Sequence, residues 1–285
     1  MSALESELAL KSLGSTTPLI HTIRQWKGWQ QYQYLWLGGF SVVMLTALWW
    51  LVSALQFVPA LFLPAPQAVG DKFILVSSTG FMDATLWQHT LASLQRILLG
   101  LAFAVAIGIP LGLWMGCNRV VQGLLDPLVE IYRPIPPLAY LPLLVIWFGI
   151  GELTKVLLIF LAILAPIIIA TAHGVLATNK SRKYAALSLG ASKQQLLWYV
   201  ILPSALPSIL TGIRIGLGAG WSTLVAAELV AATRGLGFMV QSAAQFLVTD
   251  VVILGILVIA LIAFAIEMAL RQLQKRLTPW YSHSE

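Results

Sequence analysis

The sequence predicts an all-α, polytopic membrane protein with about six transmembrane helices. Three observations carry this reading. Hydrophobic residues fill 59% of the 285 positions and charged residues only 10%, where a soluble domain has about 25% charged. The apolar residues fall into six runs, each near the roughly 20 residues a helix needs to cross the hydrocarbon layer. Between the fourth and fifth runs lies a polar, basic island, residues 181–203, SRKYAALSLGASKQQLLWYVILP. Lipid admits only backbones that satisfy their own hydrogen bonds, so the six runs are read as helices.

Residues 1–34 mix Glu5, Glu7, Lys11, Arg24 and Lys27 without an early apolar core, which argues against a cleavable leader. Residues 1–17 read as a disordered tail. Trp26, Trp29, Tyr32 and Tyr34 beside Arg24 and Lys27 suit a segment lying at the membrane interface. Residues 35–89 hold the first span, 35–57, and a connection with Pro59, Pro64, Pro66 and a short helix over 67–76. Residues 90–272 form a core of five further spans, and 273–285 a polar tail. Within the core the second span covers 91–115, and a link at 116–123 leads to the third, 124–148. A turn at 149–152 enters the fourth, 153–176. The polar loop 177–207 follows, then the fifth span, 208–231, and the sixth, 250–270.

Orientation follows from lysine and arginine bias. Segments 1–34, 116–123, 177–207 and 271–285 share one side and hold eleven of the 17 cations. Lys72, Lys155 and Arg234 lie on the other side, and Arg96, Arg133 and Arg214 within spans. The cation-rich side is expected to be cytoplasmic, with both termini on it, and residues 58–89 periplasmic.

In the island, Asn179 or Ser181 can cap a short helix whose body is Arg182 to Leu189, and Gly190 can end it in a left-handed turn. Such a helix is only about 12 Å long, enough for a plug and too short to span. Ala185, Ala186 and Leu189 fall on one side of it. Leu202-Pro203 then stops the chain, and Pro207 resets it before the fifth span.

Charges inside spans are costly and therefore informative. In the third span Glu130 and Arg133 are three residues apart and can pair. Pro134, Pro136 and Pro137 remove three backbone donors, so the helix must bend or break there. This stretch either lines a solute path or is a kinked packing helix whose Arg133 reaches a headgroup. Arg96 and Arg214 carry the same ambiguity as pathway candidates. Glu228 is expected to form a local ion pair with Arg234. Gly212, Gly216 and Gly220, spaced by four, make a smooth groove that serves either as a contact between two copies of the chain or as an internal one.

Several function classes are set aside. The one cysteine, Cys117, excludes an internal disulfide. His21, His89, His173 and His283 have no metal-ligand spacing. No phosphate-cradling glycine loop ends in Gly-Lys-Ser or Gly-Lys-Thr, and no Ser-His-Asp or Cys-His arrangement is visible. No catalytic residue, metal or cofactor is therefore expected on this chain. The net charge of +6 lies where a membrane surface explains it, so nucleic acid is not an expected partner. An ion-coupled carrier built from matched halves would show internal repeats, and none is evident.

The island resembles the cytoplasmic loop of the binding-protein-dependent ABC importer permeases, whose pattern is Glu-Ala-Ala, three residues, Gly, nine residues, then Ile-x-Leu-Pro. Here it reads Tyr184-Ala185-Ala186, Gly190, and Val200-Ile201-Leu202-Pro203, with the spacing intact and Tyr184 in the acidic position. The resemblance extends through FMDATLWQH (81–89), YRPIPPLAYLP (132–142), IWFGIGE (146–152), SLGAS (188–192), GWSTLVAAEL (220–229) and AATRGLGFMVQS (231–242). Those runs are similar to taurine importer permeases of the nitrate, sulfonate and bicarbonate group. The resemblance implies a type I importer permease fold with a coupling helix, in which Tyr184, Ala185, Ala186, Leu189, Gly190, Ala191, Leu202 and Pro203 meet an ATPase. It further implies a second copy of this chain, two cytoplasmic ATPase subunits that carry the ATP and Mg, and a periplasmic taurine- or sulfonate-binding protein.

Overall fold

The computed structural model describes residues 17–280, with side chains from Trp36 onward, Ala231 excepted. The expected N-terminal tail, the side chains of the aromatic interfacial segment and the end of the C-terminal tail lie outside these residues. The described chain is helical, with one isolated bridge between Phe81 and Ala84, and divides after Gln67 into two units.

The first unit is dominated by α1 (Thr17–Ala54). From Trp36 to Ala54 it is apolar and holds no buried residue, as expected of a helix whose solvent is lipid. Two of its hydroxyls are satisfied locally. Ser41 donates to the Leu37 carbonyl at 2.9 Å and Thr46 to that of Val42 at 2.8 Å, which removes the penalty of an unpaired hydroxyl in hydrocarbon. The Trp49 indole donates to the Pro64 carbonyl at 3.1 Å.

The second unit begins within α2 (Pro66–Ser78), the short helix expected over 67–76. Its centre is α6 (Glu152–Leu176), held between α3 (Leu86–Cys117) and α9 (Leu202–Ala231). Packing of helices in lipid gains nothing from the hydrophobic effect, so close approach must supply the attraction. Small residues provide it. On α3, Gly100 and Gly108 abut Ile159 and Ile167 of α6, and on α9 Gly212, Gly216 and Gly220 abut Ala170 and Ile163. The groove read from those last three glycines is thus an internal seam against α6, and the expectation that it joins two copies is corrected. Ile97, Ile159, Ile163, Ile167, Leu217, Trp221 and Leu224 fill the space between the three helices.

The third span is broken. α4 (Arg119–Tyr132) starts on an Asn118 side-chain cap, so the link from α3 shrinks to one residue. After Arg133–Pro136 the chain turns by 89° into a 3₁₀ turn (Pro137–Tyr140) and α5 (Leu141–Phe148). The three prolines produce this break, as their missing donors require. Tyr132 pins it, its hydroxyl donating to the Leu161 carbonyl of α6 at 2.5 Å.

After α6 come α7 (Lys180–Ser188) and α8 (Lys193–Leu196). A π turn, Leu197–Ile201, then runs straight into α9. Leu202-Pro203 therefore does not stop the chain. The Leu202 N–H bonds the Leu197 carbonyl, five residues back, and this widened turn makes room for the Pro203 ring without ending the helix. α10 (Leu236–Gln245) and α11 (Thr249–Leu277) complete the unit.

Candidate functional site

Three groups of residues carry the chemistry. The first is α7 with its turn. Asn179 caps it, its side chain accepting from the Ser181 N–H at 2.8 Å. Gly190 has φ +84°. The Ala191 N–H reaches the Ala186 carbonyl at 3.1 Å and the Gly190 N–H that of Leu187 at 2.9 Å, the paired bonds of a Schellman turn. Tyr184, Leu187 and Leu189 are 66, 46 and 90% exposed. Ala185 shares that exposure, whereas Ala186 is half-buried, so the three positions expected on one face divide between two. An exposed leucine and tyrosine on a rigidly ended helix form a small apolar knob. Leu202 and Pro203 open α9 instead of extending this knob.

The second group is the proline break. Arg133, Pro134 and Pro136 are exposed and Pro137 half-buried. Glu130 is exposed too, and the expected Glu130–Arg133 ion pair does not form among the described residues. Tyr132 stacks on Tyr140 across the bend, ring centroids 6.0 Å apart, which packs the two limbs together and leaves the arginine outside.

The third group was not legible in the sequence as a unit. Near the first turns of α3 and α6 and the last turns of α9, Arg96 and Glu228 are buried, 4 and 0% exposed. Arg96 Nη1 donates to Glu228 Oε1 at 2.6 Å and to the Arg234 carbonyl at 2.7 Å. Its Nε and Nη2 form a two-pronged bond to Glu152, at 2.6 and 2.8 Å, which Lys155 also reaches at 2.8 Å. Glu228 further accepts from the Ser93 hydroxyl at 2.7 Å and the Gly237 N–H at 2.8 Å. Two cations face two carboxylates, and each bond is charge-assisted, so the cost of burial is offset within the group. His89 extends the network. Its Nδ1 accepts from the Gly235 N–H at 3.1 Å, which leaves the proton on Nε2, 3.0 Å from the Phe81 carbonyl.

This arrangement corrects two expectations. Glu228 pairs with Arg96 and not with Arg234, which contributes only its backbone carbonyl. Arg96, a pathway candidate, has its guanidinium nitrogens committed to protein acceptors and lies in the core. Arg214 is likewise held, donating to Glu267 at 3.1 Å and to Gln274 at 3.1 Å on α11. Charge within a span was the available signal for these residues; their partners, more than fifty residues away, were not marked by any local pattern.

The architecture matches that of solved transporter structures. A chain of the MetNI methionine ABC transporter in inward-facing conformations aligns with a TM-score of 0.61 over 68% of this chain and 96% of that one, at 20% identity. The fold is thus that of this ABC transporter chain, with five helices, or six spans if the broken pair counts as one, long and apolar enough to cross a membrane among the described residues. Residues 108–279 match the family described as binding-protein-dependent transport system inner membrane component, and the chain belongs to it. It is 58% identical over 264 residues to the taurine transport system permease protein TauC of Escherichia coli K12, covering 92% of this chain and 96% of that protein. It is 37% identical to the putative aliphatic sulfonates transport permease protein SsuC of the same organism, covering 85 and 90%. The bicarbonate transport system permease protein CmpB of Synechococcus elongatus is 35% identical, covering 69 and 71%.

Proposed function

We propose that this chain is the permease subunit of an ATP-driven importer that carries taurine (2-aminoethanesulfonate) across the bacterial inner membrane. The observation that carries the reading is the 58% identity to a taurine permease over 92% of the chain, against 37% to an aliphatic sulfonate permease. Two copies of the chain would form the path, with two ATPase subunits below and a periplasmic binding protein above. ATP and Mg belong to the ATPase, and both termini of this chain lie on the cytoplasmic side with the basic loop, as its lysines and arginines favour.

In this reading residues 90–272 are the permease core, 35–89 supply an added span and its periplasmic connection, and 1–34 and 273–285 are cytoplasmic. The exposed Tyr184–Leu189 knob seats in a groove of the ATPase. Closure of the ATPase pair on ATP drags α7, and the rigid turn at Gly190 passes that displacement to α8 and, through one continuous helix, to α9. Arg133 and the proline break, exposed and without an ion-pair partner among the described residues, are the residues that meet the sulfonate on its path. Arg96 and Arg214 brace the helices around it.

The test is uptake of labelled taurine in cells lacking only this chain, with and without its return, in the presence of ethanesulfonate or nitrate. Restored uptake that neither competitor suppresses supports a taurine importer. Restored ethanesulfonate or nitrate uptake without taurine uptake overturns the substrate and keeps the permease.

A further inference from the structure

A cavity of about 340 Å³ opens where the ends of α3, α6, α7 and α8 converge. Its apolar walls are Val175, Leu196 and Leu197, with Cys117 at the end of α3, and two lysines, Lys183 and Lys193, also line it. The Lys183 ammonium donates to the Val175 carbonyl at 3.1 Å, a neutral acceptor. Neither lysine forms an ion pair among the described residues. No aspartate or glutamate occurs in the sequence between Glu152 and Glu228, and the 116–123 link adds only another cation, Arg119. Two cations over an apolar floor are therefore left for an anion from outside.

The depth of the cavity says which anion. Trp198 and Tyr199, on the π turn that begins at Leu197, are 62 and 78% exposed. Exposed Trp and Tyr at the end of a span mark the level of the lipid headgroups. Basic pockets between spans at that level on the cytoplasmic face recognise anionic headgroups. We infer that the cavity is a binding site for the phosphate of an anionic phospholipid of the cytoplasmic leaflet. The inference rests on the orientation proposed above. A headgroup seated there touches α7 through Lys183 and the α8 end of the α9 helix through Lys193, so it fixes the angle between the knob and the span.

Cys117 is the only cysteine in the chain, it is exposed, and it lines this cavity, so it reports occupancy directly. The full transporter is reconstituted in vesicles of phosphatidylcholine alone or with phosphatidylglycerol added, after its other subunits are made cysteine-free. N-ethylmaleimide labelling of Cys117 is followed in the parent and in a Lys183→Gln/Lys193→Gln variant. The reagent is uncharged, and both proteins sense the same surface potential, so only their difference counts. The expected result is labelling at least about twofold slower with phosphatidylglycerol in the parent, as majority occupancy requires, and little slowing in the variant. Equal slowing in both overturns the site, as does no slowing in either. Inorganic phosphate that protects as well in phosphatidylcholine vesicles overturns the lipid assignment in favour of a free anion. A charged, impermeant maleimide added from each side reads the orientation separately. Labelling from the periplasmic side alone would reject the orientation whatever the lipid result.

Discussion

Arg96 and Glu228 are 132 residues apart in the chain and 2.6 Å apart in the fold. Their ion pair joins the start of α3 to the end of α9, and through Glu152 the start of α6. The three helices that form the core are thereby clamped at one end by charge, while glycine seams hold them along their length.

Breaking that clamp by removing one partner leaves the other charge buried. Arg96→Gln leaves Glu228 buried without its cation and is expected to cost about 3–5 kcal/mol, seen as a lower Tm of the purified protein in detergent; Glu228→Gln should cost less, because Arg96 keeps its two-pronged bond to Glu152. The double variant should lose less than the sum of the singles, because neither charge is then orphaned. Additive losses would reject the pairing.

Gly212 and Gly218 lie on one helix but on different faces. A Cβ at Gly212 would sit 2.5 Å from the Ala170 Cβ, whereas one at Gly218 meets nothing within 4 Å. Gly212→Val should overpack the seam and cost about 1–3 kcal/mol, with reduced folded yield. Gly218→Ala should leave yield and Tm unchanged. Equal tolerance at both positions would contradict the seam.

At Gly190 the backbone has φ +84°, where a side chain costs about 1–2 kcal/mol. Gly190→Val is expected to refold the end of α7 while the spans insert normally. Uptake should fall several-fold, and ATP hydrolysis should lose its dependence on the binding protein. Normal uptake by a normally inserted variant would remove the coupling role given to this turn.

Tyr132 and Arg133 are neighbours with opposite expected phenotypes. Tyr132→Phe deletes the bond to the Leu161 carbonyl and should lower stability by about 0.5–1.5 kcal/mol, read as Tm. Arg133→Gln should leave Tm untouched and raise the concentration of taurine needed for half-maximal uptake. A stability loss at Arg133 would place it in packing and not on the path.

The amino-acid sequence by itself determined what depends on short-range chemistry. Apolar runs of bilayer length marked the spans, three prolines within 134–137 forced the break, and Asn179 and Gly190 bounded α7. Each of these follows from a residue and its immediate neighbours. Tertiary structure alone decided what depends on which helices meet. It turned Gly212, Gly216 and Gly220 toward α6, gave Glu228 to Arg96 in place of Arg234, and let a π turn carry the chain through Pro203. A charge or a glycine in a span announces that it needs a partner, because lipid offers none. The choice among partners is made by helix packing, and the sequence spacing of Arg96, Glu152 and Glu228 holds no trace of it.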